Sequence, residues 1–176
     1  MADGDLRVPS LSSSIRLVGE ETTTVDGDSL ASLPLQEREC EIVCATGDRY
    51  TETWYGVPVL ELLERASVPP ETTHLLVVSG DGYRACVAVE TALEGLLALG
   101  KNGRPLADAS DYETRFVAVG ADGPRTVKDV GRIEAMTLEP GEDPEAYELG
   151  VESAPESESE PVSTPTAEAP SPDDAA

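Results

Sequence analysis

Basic residues are scarce in this chain. It has 12 lysines and arginines against 35 acids in 176 residues, a formal net charge of −23. So negative a chain repels phosphate backbones, which argues against a nucleic-acid partner. Only two of the bases are lysines, Lys101 and Lys128. An acidic, lysine-poor surface suits a halophilic setting, where salt screens the self-repulsion. Long apolar runs are missing too, so no helical membrane span is expected. The start, Met1-Ala-Asp-Gly-Asp5, lacks a basic region followed by an apolar one. No secretory leader is therefore expected, and the expected location is cytoplasmic. The single histidine, His74, excludes sites built from two or three histidines of this chain. Three cysteines are an odd number, which speaks against a disulfide framework and for a reducing compartment. There is no Walker A loop, no GxGxxG after a strand and no GxSxG elbow.

What is present divides unevenly. Residues 1–140 hold 24 acids and all 12 bases, while residues 141–176 hold 11 acids and no base. From Pro140 onward the chain is mostly Pro, Glu, Ser, Thr, Ala and Asp. Such a stretch cannot bury enough apolar surface to offset the entropy of ordering. The spacing predicts a flexible start over 1–13, one domain over 14–139 and a disordered acidic tail over 140–176.

Within the domain, Ile15 to Val18 reads as a strand. Ser29 to Pro34 reads as a helical turn opened by a serine cap and stopped by proline. Arg38 to Cys44 alternates, with Cys40, Ile42 and Cys44 on one face. The pattern predicts a helix over Val57 to Ala66, with Leu60, Leu62 and Leu63 toward the core. His74 to Ser79 reads as a buried strand, followed by an Asp81-Gly82 turn and a return strand from Tyr83 to Val89. Thr91 to Leu99 reads as a second helix closed by Gly100. Strands are expected over Thr114 to Val119 and around Arg132 to Met136. Mixed elements without regular βαβ units give an α+β fold with a mainly β core and short helices.

Two groups of residues carry possible chemistry. Cys40 and Cys44 sit about 13 Å apart along one strand, too far for a disulfide or a shared zinc ion. Cys86 lies mid-strand and reads as a small core residue. Cys44 ends its strand beside the polar turn Ala45 to Tyr50. A thiol there either reaches a ligand, with Arg49 favouring its thiolate, or is buried and inert. Arg115, Arg125 and Lys128 fall close together near Gly120, Gly123 and Thr126. They either hold a phosphate through side chains and backbone N–H groups or form salt bridges with the surrounding acids. His74 opens an apolar strand and reads as structural rather than as part of a triad.

The order of several pieces is familiar. Cys44-Ala-Thr-Gly47, followed by Trp54-Tyr-Gly-Val-Pro-Val-Leu-Glu-Leu-Leu63, resembles the molybdopterin-binding oxidoreductase domain of the sulfite oxidase family. It is similar within that family to the catalytic subunit of the bacterial methionine sulfoxide reductase system. Leu17-Val-Gly19 and Asp28 to Pro34 look like the family's opening strand and turn. Ser79-Gly-Asp-Gly-Tyr83 looks like its S-x-D-G-Y hairpin, and Asn102-Gly-Arg-Pro-Leu106 like its next turn. Arg115 to Val119, then Thr126-Val-Lys128 with Arg132-Ile133, look like its closing segment. The match runs over residues 15–138.

The resemblance implies a sulfite-oxidase-type fold and a molybdopterin cofactor. Cys44 would be the catalytic residue, giving its thiolate to molybdenum as the metal ligand. Ser79 falls where the family has a cofactor-contacting hydroxyl. Arg115 and Lys128 fall where relatives grip the phosphate end of the pterin, with the Thr126-Val127 backbone beside them. The implied activity is oxygen-atom or two-electron transfer at a mononuclear molybdenum centre, with a small-molecule substrate and an electron-transfer protein as partners. The departures are Gly120 for a proline, Asp129 for an aromatic and Ser110 for an asparagine. The 43 residues ahead of Cys44 leave no room for the N-terminal arm that full-length relatives carry. Arg49 and Arg84 are the remaining candidates for a substrate-pocket arginine. The alternative function is a cofactor-free binding module that keeps the fold. A thiol-redox protein using Cys44 alone is opposed by the lack of a nearby resolving cysteine.

Overall fold

A computed structural model describes residues 8–43, 46–121 and 123–150. The chain opens with β1 (Ile15–Val18) and β2 (Thr22–Val25), which pair antiparallel. Ile15 and Leu17 are buried while Arg16 is exposed, the period-2 signature of a half-buried strand. Helix α1 (Gly27–Ala31) follows, and its cap is Asp26 rather than Ser29. The Asp26 carboxylate accepts the Ser29 N–H at 2.9 Å, satisfying a donor that the first helical turn leaves open.

Strand β3 (Gln36–Val43) buries Cys40 and Ile42 and exposes Glu39 and Glu41. It pairs antiparallel with β4 (Arg49–Pro58), a ten-residue strand whose first two residues, Arg49 and Tyr50, read in sequence as the end of a turn. Pro58 ends β4 and caps α2 (Val59–Ala66), so this helix starts two residues later than its pattern suggests. Leu62, Leu63 and Ala66 face the core, but Leu60 is 48% exposed and does not.

Strands β5 (His74–Ser79) and β6 (Arg84–Ala88) form the expected hairpin, with Gly82 at a φ of 99° in its turn. The expected long helix over Thr91 to Leu99 is absent. Only a single turn, α3 (Val89–Ala92), precedes strand β7 (Leu96–Lys101). Leu96, Leu97, Ala98 and Leu99 are all fully buried, because both faces of this strand are covered. An apolar run buried on both faces has no period, and sequence alone does not separate it from a buried helix. Gly100 lies inside β7 and is not a helix cap. Next come β8 (Arg104–Pro105), α4 (Leu106–Ala109), β9 (Arg115–Val117) and β10 (Val130–Met136).

The strands form two sheets. The first has the order β2-β1-β10-β5-β6, with β1 and β10 parallel and the other neighbours antiparallel. The second runs β3-β4-β7-β8, with β9 paired to β7 beside β8. Leu75, Val77 and Ile133 of the first sheet and Val57, Leu97 and Phe116 of the second share one core with α2. The opposite face of the second sheet carries Cys40, Ile42, Trp54, Leu96 and Ala98. The opposite face of the first carries Leu76 and Cys86, with Leu138 against them. Residues 144–147, in the stretch expected to be tail, form a 3-10 turn that packs against β6. The carboxylate of Glu148 accepts the Cys86 N–H at 2.8 Å.

Two substitutions test this packing. A Cβ on Gly100 would lie 1.9 Å from the Tyr55 ring and 2.6 Å from the Arg104 carbonyl oxygen. Gly100→Ala is expected to cost about 2–3 kcal/mol in urea unfolding. Leu60→Ala, on the exposed side of α2, is expected to stay within about 0.5 kcal/mol.

Candidate functional site

A cleft of about 470 Å³ opens where the Trp54-bearing face of the second sheet meets the β5–β6 hairpin. Ser79, Arg115, Thr126, Val127 and Lys128 all line it. These come from three separate stretches of sequence. Ile42 closes the cleft from β3, and Asp81 and Tyr83 border it from the hairpin.

Arg115 is its central charge. The side chain stands at the start of β9 and the residue is only 6% exposed. Its Nε donates to the Thr126 carbonyl at 3.0 Å, and Nη2 donates to Thr126 Oγ1 at 2.8 Å. Nη1 reaches the Tyr112 and Tyr50 hydroxyls at 3.3 and 3.4 Å. The guanidinium also lies over the rings of Trp54 and Tyr112, 5.6 and 6.0 Å from their centroids. Cation–π contact attracts a cation without cancelling its charge. Lys128 Nζ also lies over the Tyr112 ring, 5.6 Å from its centroid.

The segment from Thr126 to Lys128 is strapped to β9. Phe116 N–H donates to the Val127 carbonyl at 2.8 Å, and Asp129 N–H to the Thr114 carbonyl at 2.7 Å. Thr114 Oγ1 accepts the Val130 N–H at 2.8 Å. These bonds use the Val127 carbonyl and the Asp129 and Val130 N–H groups. The Val127 and Lys128 N–H groups find no acceptor among the described residues.

The three neighbouring bases have different fates. Arg125 forms a two-pronged pair with Glu148, at 2.8 Å from Nε and 2.6 Å from Nη2, and Glu145 lies 3.5 Å away. For that residue the salt-bridge reading holds. Neither Arg115 nor Lys128 pairs with a carboxylate among the described residues. A nearly buried guanidinium with no counter-ion is unfavourable unless an anion completes it. Arg115 and the exposed Lys128 beside these two amides make a site for an anion of two or more charges. The cleft is therefore chemically suited to a phosphate-bearing ligand.

The hairpin side has the opposite character. Ser79 Oγ donates to the Asp81 carboxylate and accepts the Asp81 N–H at 3.3 Å. The serine hydroxyl holds the Asp81 carboxyl below its ordinary pKa, with the Tyr83 N–H adding to the effect. Asp81 thus stays ionised and directs an anion toward Arg115 and Lys128. The Tyr83 hydroxyl donates to the Pro124 carbonyl and ties the hairpin to the segment before Thr126.

Cys44 lies outside the described residues, as does Ala45. The other two thiols are buried and unpaired. Burial raises the Cys40 pKa against the pull of Arg115. Burial and then Glu148 push Cys86 up to about 11. Among the described residues no three or more His, Cys, Asp or Glu side chains cluster as metal ligands. His74 Nδ1 sits 2.9 Å from Thr73 Oγ1, away from the cleft. Arg49 pairs with Glu41 at 3.3 Å, and neither Arg49 nor Arg84 lines the cleft. The sequence reading missed Tyr50 and Tyr112 as partners of Arg115, and Asp81 as a cleft residue. The only available signal was Tyr112, three residues before Arg115.

Comparison with known proteins places this geometry. No curated protein matches the chain. Among solved structures it is similar to the sulfane dehydrogenase SoxCD from Paracoccus pantotrophus, with a TM-score of 0.67 at 21% identity. The alignment covers 77% of this chain and 41% of that one, so this chain spans well under half of its length. At that identity the likeness establishes the fold, a sulfite-oxidase-type arrangement of strands with few short helices. The sequence profile of the oxidoreductase molybdopterin binding domain matches residues 10–145. The chain therefore belongs to the oxidoreductase molybdopterin binding domain family, whose cofactor is molybdopterin.

Proposed function

We propose that the cleft holds molybdopterin and that the chain works as a mononuclear molybdenum oxidoreductase. The observation that carries this reading is the meeting of Arg115 and Lys128, both without a carboxylate partner among the described residues, in one cleft of a chain of charge −23. The phosphate end of the cofactor would sit against Arg115 Nη1 and Lys128 Nζ and accept the Val127 and Lys128 amides. Thr126 orients Arg115 through its carbonyl and hydroxyl, and Trp54 and Tyr112 keep the guanidinium from swinging out. Ser79 presents its hydroxyl on the opposite wall. Cys44 would give its thiolate to molybdenum. Ile42, two residues earlier in the chain, lines the cleft, which supports that assignment. When bound, the cofactor supplies the metal for oxygen-atom or two-electron exchange with a small-molecule substrate, and an electron-transfer protein completes the cycle. A net negative field does not draw in small anions such as sulfite at low salt, a difference that screening removes in molar salt. The acid excess and lysine scarcity support a setting of high salt.

Elemental analysis of protein purified from a cofactor-competent host in molar salt tests the reading. Near-stoichiometric molybdenum is expected, and Cys44→Ala is expected to lose it. A folded wild type without metal would leave only the cofactor-free binding module.

Phosphate affinity of the metal-free chain tests the cleft alone. Lys128→Gln is expected to weaken inorganic pyrophosphate by roughly 10-fold, and Arg115→Lys by at least as much, since each removes a charge-assisted bond. Isothermal titration reads both, and unchanged affinity would remove the cleft from the proposal.

Alkylation by iodoacetamide near pH 8 separates the thiols. Cys86, with its pKa near 11, and buried Cys40 are expected to stay unmodified in the folded chain. Cys44 is expected to react in metal-free protein and to be protected when molybdenum is bound. Mass spectrometry of the peptides checks each site, and equal labelling of Cys44 in both forms would exclude it as the ligand.

A further inference from the structure

Three arginines stand in one row across the first sheet. Arg16 of β1 is the register partner of Arg132 of β10. Arg132 is opposite Val78 of β5, and Val78 is opposite Arg84 of β6. Register partners share a face, so all three lie on the side of the sheet that carries Leu76 and Cys86. Like charges directly opposite one another destabilise a sheet. Yet this chain, with only 12 bases, sets Arg16 against Arg132. Among the described residues Glu134 alone pairs with the row, 3.7 Å from Arg132 Nη2. The Nε atoms of Arg84 and Arg132 are buried and have no acceptor among those residues. A buried N–H left unpaired is costly. With one carboxylate for three guanidiniums, the row is short of an anion.

The chain delivers one to its edge. Arg84 N–H donates to the Leu149 carbonyl at 2.8 Å, and Leu149 N–H donates back to the Arg84 carbonyl at 3.1 Å. Gly150 follows at a φ of 87°, where a Cβ would meet the Tyr83 ring at 2.9 Å. Residues 151–160 then carry Glu152, Glu156, Glu158 and Glu160 and no base. We propose that residues 151–160 cross this outer face, their carboxylates pairing with Arg84, Arg132 and Arg16. From Arg84 to Arg16 is three inter-strand steps, roughly 14 Å. Ten extended residues reach about 33 Å, so the segment spans the row. An outside polyanion must bind from dilute solution, whereas a tethered segment stays at about millimolar effective concentration. That difference selects the chain's own segment as the occupant. The docking does not depend on the molybdopterin reading.

Nuclear magnetic resonance of the arginine Nε–Hε groups in the full chain tests it. Wild type is compared with Glu152→Gln/Glu156→Gln/Glu158→Gln/Glu160→Gln at one salt concentration at which both are folded. The Arg84 and Arg132 Hε signals are expected downfield and slow to exchange in wild type, and shifted upfield with faster exchange in the variant. In Arg16→Gln/Arg132→Gln, the amides of residues 152–160 are expected to move toward random-coil positions. Identical Hε signals in wild type and the glutamine variant would overturn the proposal. So would changes gathered instead at Arg115 and Lys128, which would place the segment in the cleft that Gly150 also borders.

Discussion

The cleft depends on how one guanidinium is held. Arg115 is nearly buried, and burial of a lone charge is among the most expensive things a fold can do. The structure offsets that cost with partners that leave the charge intact. Thr126 supplies a carbonyl and a hydroxyl, Tyr112 and Tyr50 supply hydroxyls, and Trp54 and Tyr112 supply ring faces. None of these is an anion. The positive charge is therefore carried through to the cleft, fixed in direction and still open to a ligand. A carboxylate in the same place would have stabilised the arginine and ended its usefulness.

That arrangement explains much of the surrounding architecture. Thr126 serves as a partner only because residues 126–128 are laced to Thr114–Phe116 through backbone bonds. Trp54 lies under the guanidinium because β4 pairs with β7, and β7 with β9, which sets Trp54 and Arg115 on the same face of one sheet. The opposite wall comes from the other sheet, through Ser79 and the hairpin turn. Gly80 N–H donates to the Asp129 carbonyl at 2.9 Å and holds that wall against the strap. The two sheets share a core, and the cleft is what their packing leaves at one end.

Sequence reasoning reached the strands whose pattern alternates. Ile15 to Val18, the β5–β6 hairpin and the face of Cys40 and Ile42 follow from period-2 burial and a glycine turn. It failed where both faces are covered or where a strand is half polar. Leu96 to Leu99 have no period because there is no solvent side, and the polar start of β4 hides a strand behind Thr51, Glu52 and Thr53. At the site, Ser79, Arg115, Thr126, Val127 and Lys128 were legible through a family pattern, and the structure brings them to one cleft. Tyr50 and Tyr112 were not legible, since their partnership with Arg115 arises only from pairing between distant strands. Arg125 was separated from its neighbours only by structure. Its partners, Glu145 and Glu148, belong to a stretch whose composition looks like a solvated tail.

The charge distribution gives this economy of bases a physical logic. Arg49, Lys101, Arg125 and Arg132 each stand within 4 Å of a glutamate, whereas Arg115 and Lys128 in the cleft pair with no carboxylate among the described residues. An anionic ligand meets two opposing effects: repulsion from a net charge of −23 spread over the surface, and attraction at close range in the cleft. Repulsion acts across the whole molecule and falls away once the screening length shrinks to about 3 Å in molar salt. Contacts to Arg115 are made at hydrogen-bond distance in a partly desolvated pocket and are screened far less. High salt therefore removes the barrier to approach while leaving most of the binding in place. An acidic surface and an anion-binding cleft are compatible in one small domain on that condition.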